Sequence, residues 1–138
     1  MDSTTDKQSV VVIVKDQNTK RQVTSLLSGK VQTFLTLNDF QNQISQTNPL
    51  VLLLDTEHLD KDELFISLPN IKEKLGNLTV MLITGESQPE KVAELLVLGV
   101  DDFIMKPSLN YELDLRVQSR IQLQKIARES IINVADIT

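Results

Sequence analysis

The sequence LVLLLD, at residues 50–55, is an unbroken apolar run that ends in an acid. Two further apolar runs end in Thr84 and Lys106. Runs of this kind, separated by helical patterns, are typical of strands in a parallel sheet that is covered on both faces. In such sheets the functional site forms from polar residues just beyond the carboxyl ends of the strands. We therefore predict that Asp55, Thr84 and Lys106 meet at one edge of a sheet, where they are suited to holding a phosphoryl group.

Strand and helix patterns alternate about five times along the chain, which predicts an α/β fold. Residues 10–14 are β-branched throughout and predict a strand buried on both faces, whereas residues 31–35 predict a shorter edge strand. A long helix is predicted from about residue 110 towards residue 132. The expected fold is a doubly wound (βα)5 sandwich with a central five-stranded parallel sheet and a long final helix.

Local signals predict where the helices begin and end. Asn18 is expected to cap the first helix, and Asn38 with Gln41 forms a capping box that opens the second. In the helix after the third strand, Pro69 is expected either to kink the helix or to divide it in two.

The composition argues against several classes of function. The chain has no Cys and one His, so it cannot by itself build a disulfide, a thiolate metal site or a multi-histidine metal site. A net charge of −5 and the absence of Trp argue against direct binding of nucleic acid. Residues 1–8 form a polar N-terminal tail unlike a targeting signal, and no apolar run approaches the ~20 residues needed to span a bilayer. We expect a cytoplasmic protein that contacts neither nucleic acid nor membrane directly.

Four polar positions follow the predicted strands in a fixed order. Asp16 follows the first strand, Asp55 the third, Thr84 the fourth and Lys106-Pro107 the fifth. Together they resemble the site of a response-regulator receiver domain, a chemotaxis-regulator-like module of two-component signalling with a flavodoxin-like fold. The resemblance covers about residues 9–125, and its most specific part is the Lys-Pro pair after a strand that contains an aromatic residue.

The resemblance implies a role for each residue of the site. Asp55 is expected to accept a phosphoryl group from a sensor histidine kinase or a phosphotransfer protein, while Lys106 pairs with a phosphoryl oxygen. Thr84 is expected to donate its hydroxyl to that group. Phe103 is expected to be the aromatic switch residue that relays the change to an output or a dimer interface. Such a domain is a signalling module and not an enzyme, beyond self-catalysed phosphorylation and dephosphorylation.

The resemblance also implies a Mg²⁺ ion held by Asp16, Asp55, the backbone carbonyl of Glu57 and waters. The chain departs from the family at Lys15, where receivers usually carry the first of two adjacent acids. Because a cation replaces an acid, we expect weaker Mg²⁺ binding. Lys15 is also a candidate substitute cation for the phosphoryl group. Glu57 either pairs with Lys15, supplies the missing carboxylate, or points with it to solvent.

Two surface features suggest partners. Asp101, Asp102 and Arg116 resemble charged pairs through which receivers of DNA-binding response regulators form homodimers, although a solvated charged face is the simpler alternative. Residues 126–138 carry the last helix past its core stripe, and we expect this extension to lead to an output domain or a partner.

Two other functions are open. A pseudo-receiver would keep the fold as a phosphorylation-independent protein-interaction module; Lys15 favours this function, whereas Asp55, Thr84 and Lys106 favour a working phosphoacceptor. A small flavodoxin-like binding protein or enzyme would need a phosphate-cradling loop after the first strand. Residues 15–19, KDQNT, contain no glycine and present an acid at that point.

Overall fold

Strands and helices alternate in the computed structural model, which describes residues 10–57, 60–85, 93–94, 96–106 and 110–137, without the side chains of 61 and 128–137. The strands are β1 (Val10–Ile13), β2 (Val31–Phe34), β3 (Val51–Asp55), β4 (Thr79–Thr84) and β5 (Asp102–Met105). The helices are α1 (Gln17–Leu26), α2 (Leu37–Asn42), α3 (Ile44–Thr47), α4 (Lys61–Lys74) and α5 (Glu112–Ile137). Residues 93–94 and 96–97, between β4 and β5, are also helical.

All neighbouring strands pair in parallel, in the order β2-β1-β3-β4-β5. The predicted α/β architecture, with its five-stranded parallel sheet and long final helix, is confirmed. The chain leaves β1 towards β2 on one side and then returns to β3 on the other side. Because the winding direction reverses there, a crevice forms beyond the carboxyl ends of β1 and β3. The register sets Ile13 opposite Leu54, so Asp55 lies at the mouth of this crevice.

Two apolar clusters cover the two faces of the sheet and explain the unbroken apolar runs. Successive residues of a strand point to opposite faces, so a strand that is covered on both sides needs apolar residues at every position. One cluster packs α2, α3 and α4 on one face, and the other packs α1 and α5 on the opposite face. Representative members are Leu52, Leu54, Phe40 and Leu68 in the first cluster, and Leu53, Ile83, Val23 and Val117 in the second.

Helix α1 begins one turn after β1, and its N-cap is Asp16. The Asp16 side chain accepts a hydrogen bond from the backbone N–H of Thr19 (2.9 Å), while its own backbone is extended (φ −73°, ψ 124°). The prediction that Asn18 caps this helix was wrong, because Asn18 already lies inside the first turn. The acid that the family resemblance assigns to a metal therefore also stabilises a helix start.

Helix α2 is capped by Thr36, whose hydroxyl oxygen accepts a hydrogen bond from the backbone N–H of Asp39 (3.0 Å). The predicted capping box of Asn38 and Gln41 was wrong, because Asn38 is exposed within the first turn. The helix ends at Gln43, whose backbone (φ −119°, ψ 17°) leaves the helical region, and α3 follows.

The caps of α2 provide a matched pair of substitutions. Thr36→Ala is expected to lower the free energy of unfolding by about 1 kcal/mol, because one backbone donor of α2 loses its partner. Asn38→Ala is expected to change it by less than about 0.5 kcal/mol, since the exposed side chain caps nothing. Urea denaturation of the two variants measures both values. A larger loss in Asn38→Ala than in Thr36→Ala would contradict this assignment of the cap.

Helix α4 runs without division from Lys61 to Lys74 although Pro69 lies inside it. Of the two alternatives for Pro69, division of the helix was therefore wrong. The N-cap is Asp60, whose side chain accepts a hydrogen bond from the backbone N–H of Asp62 (3.0 Å).

Helix α5 packs on the sheet over its first half and continues beyond it. Leu113, Val117 and Ile121 are buried, whereas Leu123 and Ile126 are 56% and 48% exposed. Residues 126–137 continue the same helix, and their role as a link to an output domain or partner stays a prediction. In the part of the chain that the structure describes, no helix combines the length and the apolar character required to cross a membrane.

Candidate functional site

Asp55 is the last residue of β3 and is 1% exposed. Its Oδ1 atom forms an ion pair with the Lys106 Nζ (3.1 Å) and accepts a hydrogen bond from the backbone N–H of Glu57 (3.1 Å). A carboxylate can be buried at low cost only if cations or hydrogen-bond donors compensate its charge. The lysine and the turn after β3 provide that compensation on one oxygen.

The second oxygen of Asp55 is the unusual atom of the site. Among the described residues, Asp55 Oδ2 is the buried side-chain polar atom that lacks a hydrogen-bond partner. Leaving such an atom unpaired is costly, and these atoms are rare in folded proteins outside functional positions. This oxygen is therefore suited to binding a metal ion or to attacking an electrophile.

Lys106 follows β5 and bridges two carboxylates. Besides its contact with Asp55, its ammonium forms an ion pair with Glu57 Oε2. Burial of the ammonium lowers the pKa of Lys106, but hydrogen bonds and charge from Glu57 and Asp55 outweigh this effect, so the pKa is raised above its ordinary value. Lys106 is therefore a fixed positive charge at neutral pH.

Thr84 ends β4 and is 2% exposed. It pairs with Met105, the residue that precedes Lys106. The sheet register thus brings the predicted hydroxyl and amine to neighbouring strand ends, as the sequence indicated. A surface depression of about 470 Å³ opens at this edge, lined by Thr56, Glu57, Gly85 and Lys106.

Asp16 and Lys15 follow β1, the strand that pairs with β3. Asp16 is half-buried, and its Oδ2 atom accepts hydrogen bonds from the backbone N–H (2.9 Å) and the hydroxyl (2.7 Å) of Thr19. These hydrogen bonds, with a smaller contribution from the positive charge of Lys106, lower the pKa of Asp16. Asp16 is therefore ionised at neutral pH. Lys15 is exposed beside it.

These acids match the small ligand set that Mg²⁺ accepts. The described residues contain no group of three or more His, Cys, Asp or Glu side chains arranged around a metal position. Mg²⁺ keeps several waters, however, and commonly binds proteins through one or two carboxylates. Asp16, Asp55 and the backbone carbonyl of Glu57 fit that requirement.

Phe103 lies in β5 and is half-buried, packed against the cluster that contains α4. Its backbone carbonyl accepts a hydrogen bond from Arg116 Nη1 of α5 (3.2 Å). A half-buried ring has room to change its exposure, which a fully packed core ring lacks. Its role as a switch stays a prediction.

The three residues of the predicted dimer face separate into two groups. Asp102 Oδ1 lies 3.7 Å from Arg116 Nη1, and Arg120 Nη2 lies 4.0 Å from Asp102 Oδ2. Asp101 instead binds Lys72 of α4 (3.0 Å) and accepts a hydrogen bond from the backbone N–H of Val80 (2.8 Å). Asp102 and Arg116 therefore share one surface, while Asp101 ties β5 to α4 and β4.

Sequence analysis did not predict the contact between Glu57 and Lys106. The predicted alternatives for the Glu57 side chain were Lys15, a metal or solvent, and in the structure Glu57 forms an ion pair with Lys106. Its position two residues after Asp55 was the available signal, because a side chain there reaches the same edge of the sheet. The sequence could not show which of two nearby lysines it would meet.

Solved structures resemble the chain, whereas no protein-family model and no curated protein matches it. The BeF3-activated receiver domain of DrrB is 31% identical, with a TM-score of 0.71 over 84% of this chain and 98% of that domain. The response regulator DrrB of Thermotoga maritima, an OmpR/PhoB homologue, is 29% identical with a TM-score of 0.72. The match covers 86% of this chain and 54% of DrrB, so this chain spans about half the length of that relative. A CheY-like receiver domain protein from Methanospirillum hungatei shares the fold at 18% identity, with a TM-score of 0.75 over 88% of this chain and 98% of that one.

Proposed function

The chain belongs to the response-regulator receiver domains, and from this premise we propose that Asp55 accepts a phosphoryl group from a histidine kinase or a phosphotransfer protein. The observation that carries the proposal is the buried, unpaired Oδ2 atom of Asp55, on a carboxylate whose other oxygen is bound by Lys106. One oxygen is thus anchored and the other is available as a nucleophile. In folded proteins the large majority of buried side-chain polar atoms are paired, so the unpaired oxygen points to a functional role.

The proposed reaction needs charge compensation more than covalent chemistry. Asp55 Oδ2 forms a bond to phosphorus while the bond between phosphorus and the donor atom breaks. The negative charges of Asp55 and of the incoming group repel each other, and the Lys106 ammonium stabilises both. Thr84, at the neighbouring strand end, is proposed to donate its hydroxyl to a phosphoryl oxygen.

A Mg²⁺ ion is proposed to assist, held by Asp16, Asp55 and the backbone carbonyl of Glu57. When bound, the ion supplies further positive charge to the phosphoryl oxygens. The hydrogen bonds from Thr19 keep Asp16 ionised and fixed. Lys15 places a positive charge next to this ligand, so we propose that the chain binds Mg²⁺ more weakly than a receiver with two acids here.

The signal is proposed to leave the site through β5 and α5. Movement of Thr84 changes the space beside β5, and the half-buried Phe103 repacks in response. Phe103 and Asp102 both contact Arg116 on α5, so a change in β5 reaches the surface of this helix. Residues 126–137, which extend α5, are proposed to carry the change to an output domain or a partner.

The surface of Asp102 and Arg116 is proposed to support a homodimer. Arg116→Glu places a second negative charge beside Asp102. We expect this change to reduce phosphorylation-dependent self-association several-fold, because the acidic surfaces of the two chains would repel each other at the interface. Sedimentation velocity with a small phosphodonor measures the effect. Arg21→Glu on α1 makes the same change in net charge and should leave self-association as in the wild type. Equal effects of both variants would remove this surface from the proposal.

Intact mass after incubation with a small phosphodonor, with and without Mg²⁺, tests the function. A phosphoryl adduct that requires Mg²⁺ is the expected result. An adduct of equal yield without Mg²⁺ would assign the role of the metal to Lys15. A folded protein that neither the small donor nor a histidine kinase can label would be a pseudo-receiver, the phosphorylation-independent interaction module.

A further inference from the structure

Lys106 is shared between two carboxylates of unequal exposure. Its ammonium binds Asp55, whose side chain is fully buried, and Glu57, whose side chain is 55% exposed. The backbone N–H of Glu57 donates a hydrogen bond to the same Asp55 oxygen that Lys106 binds (3.1 Å). The turn after β3 therefore fixes Glu57 beside the lysine while its carboxylate remains in contact with solvent.

A phosphoryl group on Asp55 would need the positive charge of Lys106, which is already ion-paired with Glu57. An ammonium has three donors and one positive charge, and here two carboxylates share them. An attached phosphoryl group brings anionic oxygens into the depression that Glu57 and Lys106 both line. The Glu57 carboxylate would then compete with these oxygens for Lys106 and repel them at short range.

We propose that Glu57 is a positioning residue that restrains Lys106 before phosphorylation and must release it when Asp55 accepts a phosphoryl group. The inference rests on the proposed function and adds to it a built-in restraint on the rate of phosphorylation. In the unmodified protein the restraint keeps Lys106 between Asp55 and Glu57. Once Asp55 is modified, the Glu57 carboxylate moves away from Lys106.

Of the two acids that contact Lys106, Glu57 is the one that can move away from the lysine. Asp55 is held in the sheet and has no solvent to which it can turn, whereas Glu57 lies in an exposed turn. Ion pairs at exposed positions are weak, because water competes for both charges. Displacement of Glu57 is therefore feasible without unfolding any strand or helix.

The test compares three variants with the wild type, using phosphoramidate with saturating Mg²⁺ and intact mass to follow the initial rate of adduct formation. Glu57→Gln removes the charge but keeps the backbone groups of residue 57. Glu57→Asp keeps the charge but shortens the side chain by one methylene, so it separates contact from charge. Glu73→Gln, at an exposed position of α4, makes the same change in net charge away from the site.

A second measurement reports on Lys106 without phosphorylation. An amine-reactive reagent, followed by peptide mass spectrometry, gives the labelling rate of Lys106 relative to Lys20 on α1. We expect Glu57→Gln to raise this rate, because the ammonium has lost one of its two carboxylate partners. A change in global stability would alter the labelling of both lysines, so the ratio is specific to the contact.

The inference predicts an adduct rate about three- to tenfold above wild type in Glu57→Gln. It also predicts an increase in Glu57→Asp and no change in Glu73→Gln. Wild-type labelling with no acceleration in Glu57→Gln would overturn the restraint and leave the proposed function standing. Acceleration in Glu57→Gln but not in Glu57→Asp would also overturn the restraint. The rate would then depend on the negative charge at position 57 and not on the contact with Lys106. If no variant and no wild-type protein is labelled, the phosphoacceptor function and the restraint both fail.

Discussion

Asp55→Asn is expected to abolish adduct formation while leaving the fold intact. The amide is isosteric with the carboxylate, but it is a poor nucleophile and carries no negative charge for Lys106 or a metal ion to stabilise. Lys106 keeps Glu57 as a partner in this variant, so the lysine is not left as an uncompensated charge. We therefore expect the free energy of unfolding to change by no more than about 2 kcal/mol.

Intact mass and urea denaturation of the same samples check both parts of this prediction. Asp39→Asn, an exposed position in α2, is the matched control and should accept phosphoryl groups at the wild-type rate. An adduct of undiminished yield in folded Asp55→Asn would show that another side chain is the acceptor.

Lys15→Asp is expected to raise the affinity for Mg²⁺ by at least about tenfold, equivalent to about 1.4 kcal/mol. The substitution restores the pair of adjacent acids and changes the charge beside Asp16 from +1 to −1. Unit charges about 4 Å apart interact by about 4 kcal/mol at an effective dielectric constant of 20. Because Lys15 is exposed, solvent and salt screen a large part of that energy, which leaves the smaller expected value.

Isothermal titration calorimetry with Mg²⁺ measures the change. Lys15→Ala removes the cation without adding an acid, so its affinity should lie between those of the wild type and Lys15→Asp. Equal Mg²⁺ affinities in all three proteins would mean that position 15 does not face the metal, and would contradict the proposal that Lys15 weakens Mg²⁺ binding.

The sheet was predictable from sequence because burial on both faces leaves a strong pattern. The runs in β1, β3 and β4 are apolar at successive positions, which only strands covered on both sides require. The helix starts were predicted less well. The N-cap of α1 is Asp16 and not Asn18, and the N-cap of α2 is Thr36 and not Asn38. All four are residue types that favour N-cap positions. Which of two good capping residues has the required extended backbone depends on where the preceding strand ends, and that boundary is set by tertiary pairing.

The positions of site residues at strand ends could be predicted from the sequence. The ion pairs that their side chains form could not. The positions of Asp55, Thr84 and Lys106 follow from strand order and register, so the sequence indicated their common edge. The pairing of Glu57 with Lys106, and of Asp101 with Lys72, depends on side-chain reach across elements distant in sequence. Local periodicity carries no information on such contacts.

The most direct test of the central claim is to locate the phosphoryl group on the chain. Treatment of the phosphorylated protein with borohydride reduces an acyl phosphate at an aspartate to homoserine, which tandem mass spectrometry identifies by residue number. The proposed function predicts homoserine at position 55, at a level that follows the yield of the adduct. A phosphoryl group mapped to any other residue, with an unmodified aspartate at position 55, would contradict it.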